Sequence, residues 1–391
     1  MMPDTVRQWL KQKDAESYPI ITNPSAHFKS VYHIKDATWE TMEMPGTYGV
    51  IQRYPVAMYH PAQDILLIPN AHIAPSSEVV YTKDGAVWDK YYLPMFPYMI
   101  ASDSNRATND AEAIRIRKPD TTIPVKGACI SLFGVWETLW VHFLVQFLPK
   151  LYYAEEAGLL DQEITVIMPN YKDSHINQLI DDVLQKHPKC QVIRAENTGV
   201  RVEYVCEQLY WIPTASAVSN DYPFPMLYHN VLPAKVGELL HHKVFEKYMN
   251  SVKISDDSPK KLYLVRRGGY RGAKNIDEIE AFFKARGFVF VEPHKVTLEE
   301  KVSLFRNAKI IAGPQSSAWS GAMLCDHAKG LMITPVSWTI DALVGYNILP
   351  EECYVLQVPG NEIMNGSSQM DYTVDMGMVE RAYNQLLEME I

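Results

Sequence analysis

An α/β protein with parallel sheets and a β-rich N-terminal portion is what this sequence predicts, and three observations predict it. From about residue 127 to 212 apolar strands alternate with helical patterns, and from 261 to 335 the alternation recurs more cleanly. From about Tyr18 to Lys126 the chain is instead rich in Tyr, Pro and short apolar runs. The 391 residues exceed one typical domain of roughly 100–200 residues, so two large domains or three small ones are expected. An apolar fraction of 47% and a charged fraction of 21% are those of a globular protein with a sizeable core, and exclude disordered and fibrous classes. A net charge of -9 opposes nucleic-acid or anionic-membrane surfaces, which need a basic excess.

Each element has its own signal. In the N-terminal portion, Glu78-Val79-Val80-Tyr81 and Ala86-Val87-Trp88 flank Thr82-Lys83-Asp84-Gly85, and Asp-Gly between strand-forming runs marks a hairpin. A strand over Ala128–Phe133 leads to Gly134, a helical pattern over Val135–Leu148, and a second helix opened by Pro149 and stopped at Gly158. Ile164–Met168, a helix over Ser174–Lys186, Gln191–Arg194 and Tyr204–Ile212 follow, with the continuous apolar character of buried parallel strands. A helix over Pro233–Met249 precedes the charged stretch 251–260, where the domain boundary is expected. Beyond it, strands Lys261–Val265, Phe288–Val291, Ile310–Ala312 and Leu331–Thr334 are separated by helices Asn275–Arg286, Leu298–Asn307 and Ser317–Leu324, the order of a Rossmann-like unit. Met378, Tyr383, Leu386 and Leu387 give the last stretch a helical period.

Cys129, Cys190, Cys206, Cys325 and Cys353 lack C-x-x-C spacing, so neither a disulfide framework nor a zinc site is expected, and reduced thiols in a cytoplasmic compartment are. Met1 to Lys13 is charged and lacks the apolar core of a signal peptide. Leu139–Leu148, the most apolar long run, falls short of the ~20 residues that span a bilayer. D-x-D, G-x-S-x-G and G-x-x-x-x-G-K-[ST] do not occur; a carboxylate-held metal, a hydrolase elbow and a P-loop are therefore not expected.

Chemistry concentrates in three segments. Arg266-Arg267-Gly268-Gly269-Tyr270-Arg271 follows a strand; paired glycines permit a tight turn and guanidinium groups bridge phosphate oxygens. A solvated basic loop reads equally well from that segment alone. Gly313-Pro314-Gln315-Ser316-Ser317-Ala318 joins a strand to a helix whose small first-turn residues expose free amides to an anion, although Ser316 or Ser317 as an ordinary N-cap gives the same pattern. Beside the arginine loop on one sheet end, anion binding is the stronger reading. In the third segment Trp140, Phe143, Leu144, Phe147 and Leu148 fill one helix face, leaving His142 and Gln146 one turn apart on its border. A helix His is usually structural, yet a neutral imidazole is suited to taking a proton from a sugar hydroxyl.

The same segments resemble glycosyltransferase family 61. The similarity lies in Trp140-Val141-His142-Phe143-Leu144-Val145-Gln146-Phe147-Leu148-Pro149-Lys150-Leu151 continuing to Glu156-Ala157-Gly158-Leu159, in Tyr263-Leu264-Val265-Arg266-Arg267 with Arg271 and Asn275, and in 308–324. Where the family commonly reads Gly-Pro-His-Gly-Ala-Gly-Leu-Thr-Asn, this chain has Gly313-Pro314-Gln315-Ser316-Ser317-Ala318-Trp319-Ser320-Gly321, and where a Glu often precedes Leu-Pro it has Gln146. Replacing His by Gln at 315 removes a titratable group and keeps a donor.

The resemblance implies a GT-B architecture, two Rossmann-like domains facing a cleft, and an inverting hexosyl- or pentosyltransferase. On this reading 1–126 is the β-rich portion of the first domain, 127–250 its acceptor-binding Rossmann-like part, 260–374 the nucleotide-sugar domain and 375–391 a closing helix. The expected activity is transfer of a sugar from a nucleotide-sugar donor to a glycan or lipid-linked glycan acceptor in surface polysaccharide synthesis. No cofactor, metal or nucleic acid is expected; peripheral membrane contact stays open. Arg266 and Arg271 would hold the diphosphate, with Asn275, Gln315, Ser316, Ser317 and Ala318 completing the donor site, Glu292 and Pro293 gripping base and ribose, and His142 and Arg271 acting in catalysis. A nucleotide-sugar epimerase or phosphorylase on the same scaffold is the enzymatic rival. A catalytically inactive sugar-nucleotide-binding scaffold, suggested by Gln315 and Gln146, is the other.

Overall fold

The computed structural model describes residues 15–44, 46–48, 54–87, 107–109, 113–196, 201–218, 230–231, 233–252, 257–266, 272–336, 353–363 and 371–389. The chain is mixed α/β and divides into two compact units, Met1–Trp39 with Tyr59–Val231, and Glu40–Met58 with Leu232–Ile391.

In the first unit, strands β1 (Thr121–Ser131), β2 (Ile164–Pro169), β3 (Cys190–Ala195) and β4 (Val202–Trp211) run parallel in the order β3-β2-β1-β4. All six residues of β2 are buried, as a strand covered on both faces requires. Strand Gln63–Ile73 pairs antiparallel with β4 and carries the sheet into the N-terminal portion. The Asp-Gly hairpin forms there, Val80–Thr82 against Gly85–Val87. Gly85 is required: its φ is +150°, and a Cβ would lie 2.6 Å from the Pro19 carbonyl oxygen.

Helix α1 covers 140–156 without a break, and this differs from the two helices expected. Trp140–His142 is α-helical, Phe143–Phe147 has π geometry, and Leu148–Glu156 is α-helical again. Pro149 has no N–H to give the Val145 carbonyl, and Ser216 Oγ donates to that carbonyl instead at 2.8 Å. Gly158, at φ +67°, ends the helix as expected. Its surface is not amphipathic with a polar border: every residue from His142 to Ala154 is buried. Helix α2 (Ser174–Leu184) is capped by Asp173, whose carboxylate accepts from His175 N and Ile176 N.

In the second unit β5 (Lys261–Leu264), β6 (Val289–Val291), β7 (Ile310–Pro314), β8 (Ala328–Pro335) and β9 (Cys353–Glu362) are parallel, in the order β6-β5-β7-β8-β9. Helices α3 (Ile276–Lys284) and α4 (Leu298–Asn307) make the first two crossovers, and α4 opens on a capping box between Thr297 and Glu300. Ser317–Leu324 is helical over the residues expected, with 3-10 geometry. Its Gly321 packs so close to Phe305 that a Cβ would meet the ring at 2.4 Å. Helix α5 (Met376–Glu388) closes the core through Val379, Ala382, Tyr383 and Leu386.

Two segments fall in units other than a division by sequence order places them in. Gly46–Thr47 adds to β9 as a parallel strand, so Glu40–Met58 belongs to the second unit and not to the β-rich portion. The helices between Ala234 and Ser251 also belong there, and Arg306 on α4 donates to the Met249 carbonyl.

Candidate functional site

In the second unit the strand order reverses between β5 and β7. Their following segments depart to opposite sides, which leaves a crevice beyond the carboxyl ends of the two strands. Arg266 lies two residues past β5 and Gln315 directly after β7, and the Arg266 guanidinium donates to the Gln315 main-chain oxygen. Two positions that the sequence singles out 49 residues apart thus meet. Close approach of the strands depends on Gly313, whose φ is +144° and whose Cβ would fall 2.5 Å from the Leu264 carbonyl oxygen.

Gln315 is held firmly. Its main-chain N–H donates to Ile333 O at 2.8 Å, and its Oε1 accepts from Thr334 Oγ1 at 2.8 Å. That orientation leaves Nε2 as a donor with no partner among the described residues. Ser316 is extended and caps nothing, and its Oγ is buried without a partner among the described residues. Ser317 is exposed and Ala318 half-buried. Burial pushes the Arg266 guanidinium below its ordinary value, so an incoming anion would stabilise its charged form.

The remaining donor-site residues are placed differently. Asn275 donates from Nδ2 to Val374 O at 2.9 Å and accepts from Val374 N at 3.2 Å, so its amide fastens the segment before α5. Glu292, after β6, pairs with Lys295 at 2.8 Å, and Pro293 is buried. Arg271, with Arg267, Gly268, Gly269 and Tyr270, lies outside the described residues.

The first unit has its own reversal, between β1 and β4. A pocket with about 420 Å³ of empty space, counting its open mouth, lies there. Ser131 and Phe133 enter it from the end of β1, and Tyr210, Trp211 and Thr214 from the end of β4. Ser77, Glu78 and the almost fully buried Lys150 of α1 add polar groups.

His142, in the first turn of α1, is not among the residues that line this pocket. Gln146 Nε2 donates to Ser216 O at 3.3 Å, so Gln146 Oε1 faces the imidazole and accepts from Nδ1–H at 2.6 Å. The tautomer is thereby fixed, and the Nε2 lone pair has no partner among the described residues. Burial pushes His142 down to about 4, the Gln146 hydrogen bond opposing it. It is neutral at pH 7 and a weak base. Trp136, at a φ of +60°, sets its ring 5.3 Å from the imidazole.

Sequence reasoning passed over Glu137 and Lys150. Glu137 is 2% exposed, and its Oε1 accepts from Ser76 N at 3.0 Å and Ser76 Oγ at 3.2 Å. Burial pushes it up to about 7, opposed by a hydrogen bond from its own main-chain N–H, by the Ser76 hydrogen bonds and by the charge of Lys150. One signal was available: each is a charged residue inside an otherwise apolar run, where only tertiary partners make burial tolerable. Among the described residues no cluster of His, Cys, Asp and Glu could hold a metal, and no helix is long and apolar enough to cross a membrane.

No curated protein matches the chain significantly. The family model described as Glycosyltransferase 61 matches residues 140–332, about half of the chain. The matched stretch opens on the helix that carries His142, Gln146 and Lys150 and runs through Arg266, Gln315 and Ser316 to β8. With that match behind the two crevices, the chain belongs to glycosyltransferase family 61 and is a glycosyltransferase.

Proposed function

We propose that the chain is an inverting glycosyltransferase of GT-B layout, moving a sugar from a nucleotide-sugar donor to a glycan or lipid-linked glycan acceptor in surface polysaccharide synthesis. The second unit takes the donor and the first the acceptor. One observation carries the reading: Arg266 and Gln315 meet at the strand-order reversal of a parallel sheet, where such sheets bind phosphorylated ligands. The guanidinium stabilises the diphosphate as the sugar–phosphate bond breaks, and Gln315 Nε2, Ser316 Oγ and the amides of Ser317 and Ala318 supply neutral donors. Arg271 adds a second cation. Glu292 and Pro293, after β6, flank the nucleoside; Asn275 supports the donor domain from behind. In the first unit His142 presents a neutral Nε2 to an acceptor hydroxyl, and the pocket between β1 and β4 holds an acceptor sugar against Phe133 and Trp211. The transfer uses no metal.

Arg271→Ala and Arg266→Lys weaken binding of UDP or GDP in titration calorimetry, by about tenfold or more if a charge-assisted bidentate contact is lost. Unchanged affinity in both variants removes the donor assignment. Transfer persists in EDTA; reversible loss there would demand a metal.

A further inference from the structure

Thr334 stands one residue from the carboxyl end of β8, outside the stretch 140–332 that the family model matches. It is fully buried, and a buried hydroxyl must give its one proton to some acceptor. Two acceptors are in reach, Gln315 Oε1 at 2.8 Å and the Pro335 carbonyl at 3.4 Å. The first distance is that of an ordinary O–H···O bond and the second lies beyond it. The main chain of Gln315 is fixed as well, its N–H donating to Ile333 O and its carbonyl accepting from the Arg266 guanidinium. Strand register produces this arrangement: Gly313 and Pro314 of β7 pair with Met332 and Ile333 of β8, and the next step along the two chains sets Gln315 against Thr334.

Strand pairing therefore places the Gln315 side chain, and one hydroxyl decides which way round it sits. A primary amide has two ends of nearly equal size and opposite polarity, since Oε1 accepts and Nε2 donates. Turned over, it would set Nε2 against Thr334 Oγ1, leave the hydroxyl proton to the distant Pro335 carbonyl, and aim an oxygen where Nε2 now stands. The Thr334 bond selects the other orientation. Oε1 is held against β8, and the end that remains is a donor.

We propose that Thr334 is a positioning residue of the donor site, keeping Gln315 as a donor only, and that Gln315 Nε2 takes an oxygen of the diphosphate, not a hydroxyl of the transferred sugar. This rests on the transferase reading above. The Arg266 guanidinium and the Gln315 amide, brought together at the end of β5 and β7, both donate. Phosphate oxygens only accept, whereas sugar hydroxyls also donate and are matched by groups that include an acceptor. An amide oriented before the ligand arrives spares binding the cost of ordering it, which is how a buried supporting hydrogen bond strengthens a contact it does not itself make.

The test uses variants of the full chain in titration calorimetry with UDP, GDP, ADP and dTDP, and with UDP-glucose and GDP-mannose. Thr334→Val keeps the shape and removes the hydroxyl; affinity for the nucleoside diphosphate falls by about threefold to tenfold as the amide loses its preferred orientation, and Thr334→Ser restores it. Gln315→Leu loses about tenfold or more, as for a hydrogen bond to a charged group. Adding Thr334→Val to Gln315→Leu costs no further affinity, because the hydroxyl acts only through the amide. Gln315→Glu keeps one oxygen for Thr334 and turns the other on the phosphate, so it binds more weakly than Gln315→Leu. Each loss is the same for a nucleoside diphosphate and its nucleotide-sugar, and in transfer assays the donor KM rises while the acceptor KM does not. Wild-type affinity in Thr334→Val, an equal effect of Thr334→Val with and without Gln315, a Gln315→Glu protein that binds at least as well as Gln315→Leu, or a loss confined to the nucleotide-sugar would overturn the proposal. If Thr334→Val does not fold, the order of Gln315→Glu and Gln315→Leu decides alone. A wild-type chain that takes none of these ligands removes the donor reading itself, whereas a wild type that binds beside unchanged variants removes only the role of Thr334.

Discussion

Glu137 and His142 are buried titrating groups whose effects on stability oppose each other. Glu137 is raised from 4.5 to about 7, so between those values the folded chain binds a proton that the unfolded chain does not, and stability falls as pH rises. His142 is lowered from 6.5 to about 4; there the unfolded chain holds the extra proton, and stability falls as pH drops. Over their common window, about pH 4.5 to 6.5, the two cancel. Glu137→Gln removes one side of that balance, and the variant should lose stability relative to wild type by about 1.4 kcal/mol per pH unit on acidification through that window. Urea unfolding at several pH values measures it, and parallel curves for the two proteins would show that Glu137 does not titrate as described. His142 was legible in the sequence as a helix histidine beside Gln146. Glu137 was not, because its surroundings, Ser76 and Lys150, are supplied by other segments of the chain.

At the scale of elements, α1 and β7 show how one residue sets the shape of a segment. Proline at 149 announces a helix start to a sequence reader, and in isolation it would break the hydrogen-bond ladder. Here the chain continues because Ser216, from the segment after β4, gives the Val145 carbonyl its missing donor. Ser216→Ala leaves that buried carbonyl unpaired and should cost roughly 1–3 kcal/mol, with the His142 orientation disturbed as well, since Gln146 holds Ser216 O. Denaturant midpoints measure the first effect and the imidazole proton resonances the second; a variant as stable as wild type would mean that water replaces the hydroxyl. Gly313→Ala should be worse, because the new Cβ would strike the Leu264 carbonyl in a backbone conformation that L-residues avoid. Weakened nucleoside-diphosphate binding together with lower stability is expected, and intact binding would detach the donor site from the β5–β7 crevice.

For the whole molecule, a ligand that binds only the folded chain raises its melting temperature. A nucleoside diphosphate at 100 times its dissociation constant should add about 2.7 kcal/mol, and a thermal-shift panel that moves for none of UDP, GDP, ADP and CMP would remove the donor reading. The sequence by itself determined the alternation of strands and helices, the parallel run of strands β1–β4 and β5–β8, and the positions of Arg266, Gln315 and His142, because periodicity, glycine placement and local composition are properties of short stretches. Only the tertiary structure decided that Gly46–Thr47 joins β9, that the helices of 234–251 belong with the second unit, and that Glu137 is buried beside Lys150. Strand pairing and burial join residues separated by tens to hundreds of positions, and no local pattern records which distant segment will supply the hydrogen bond or the charge.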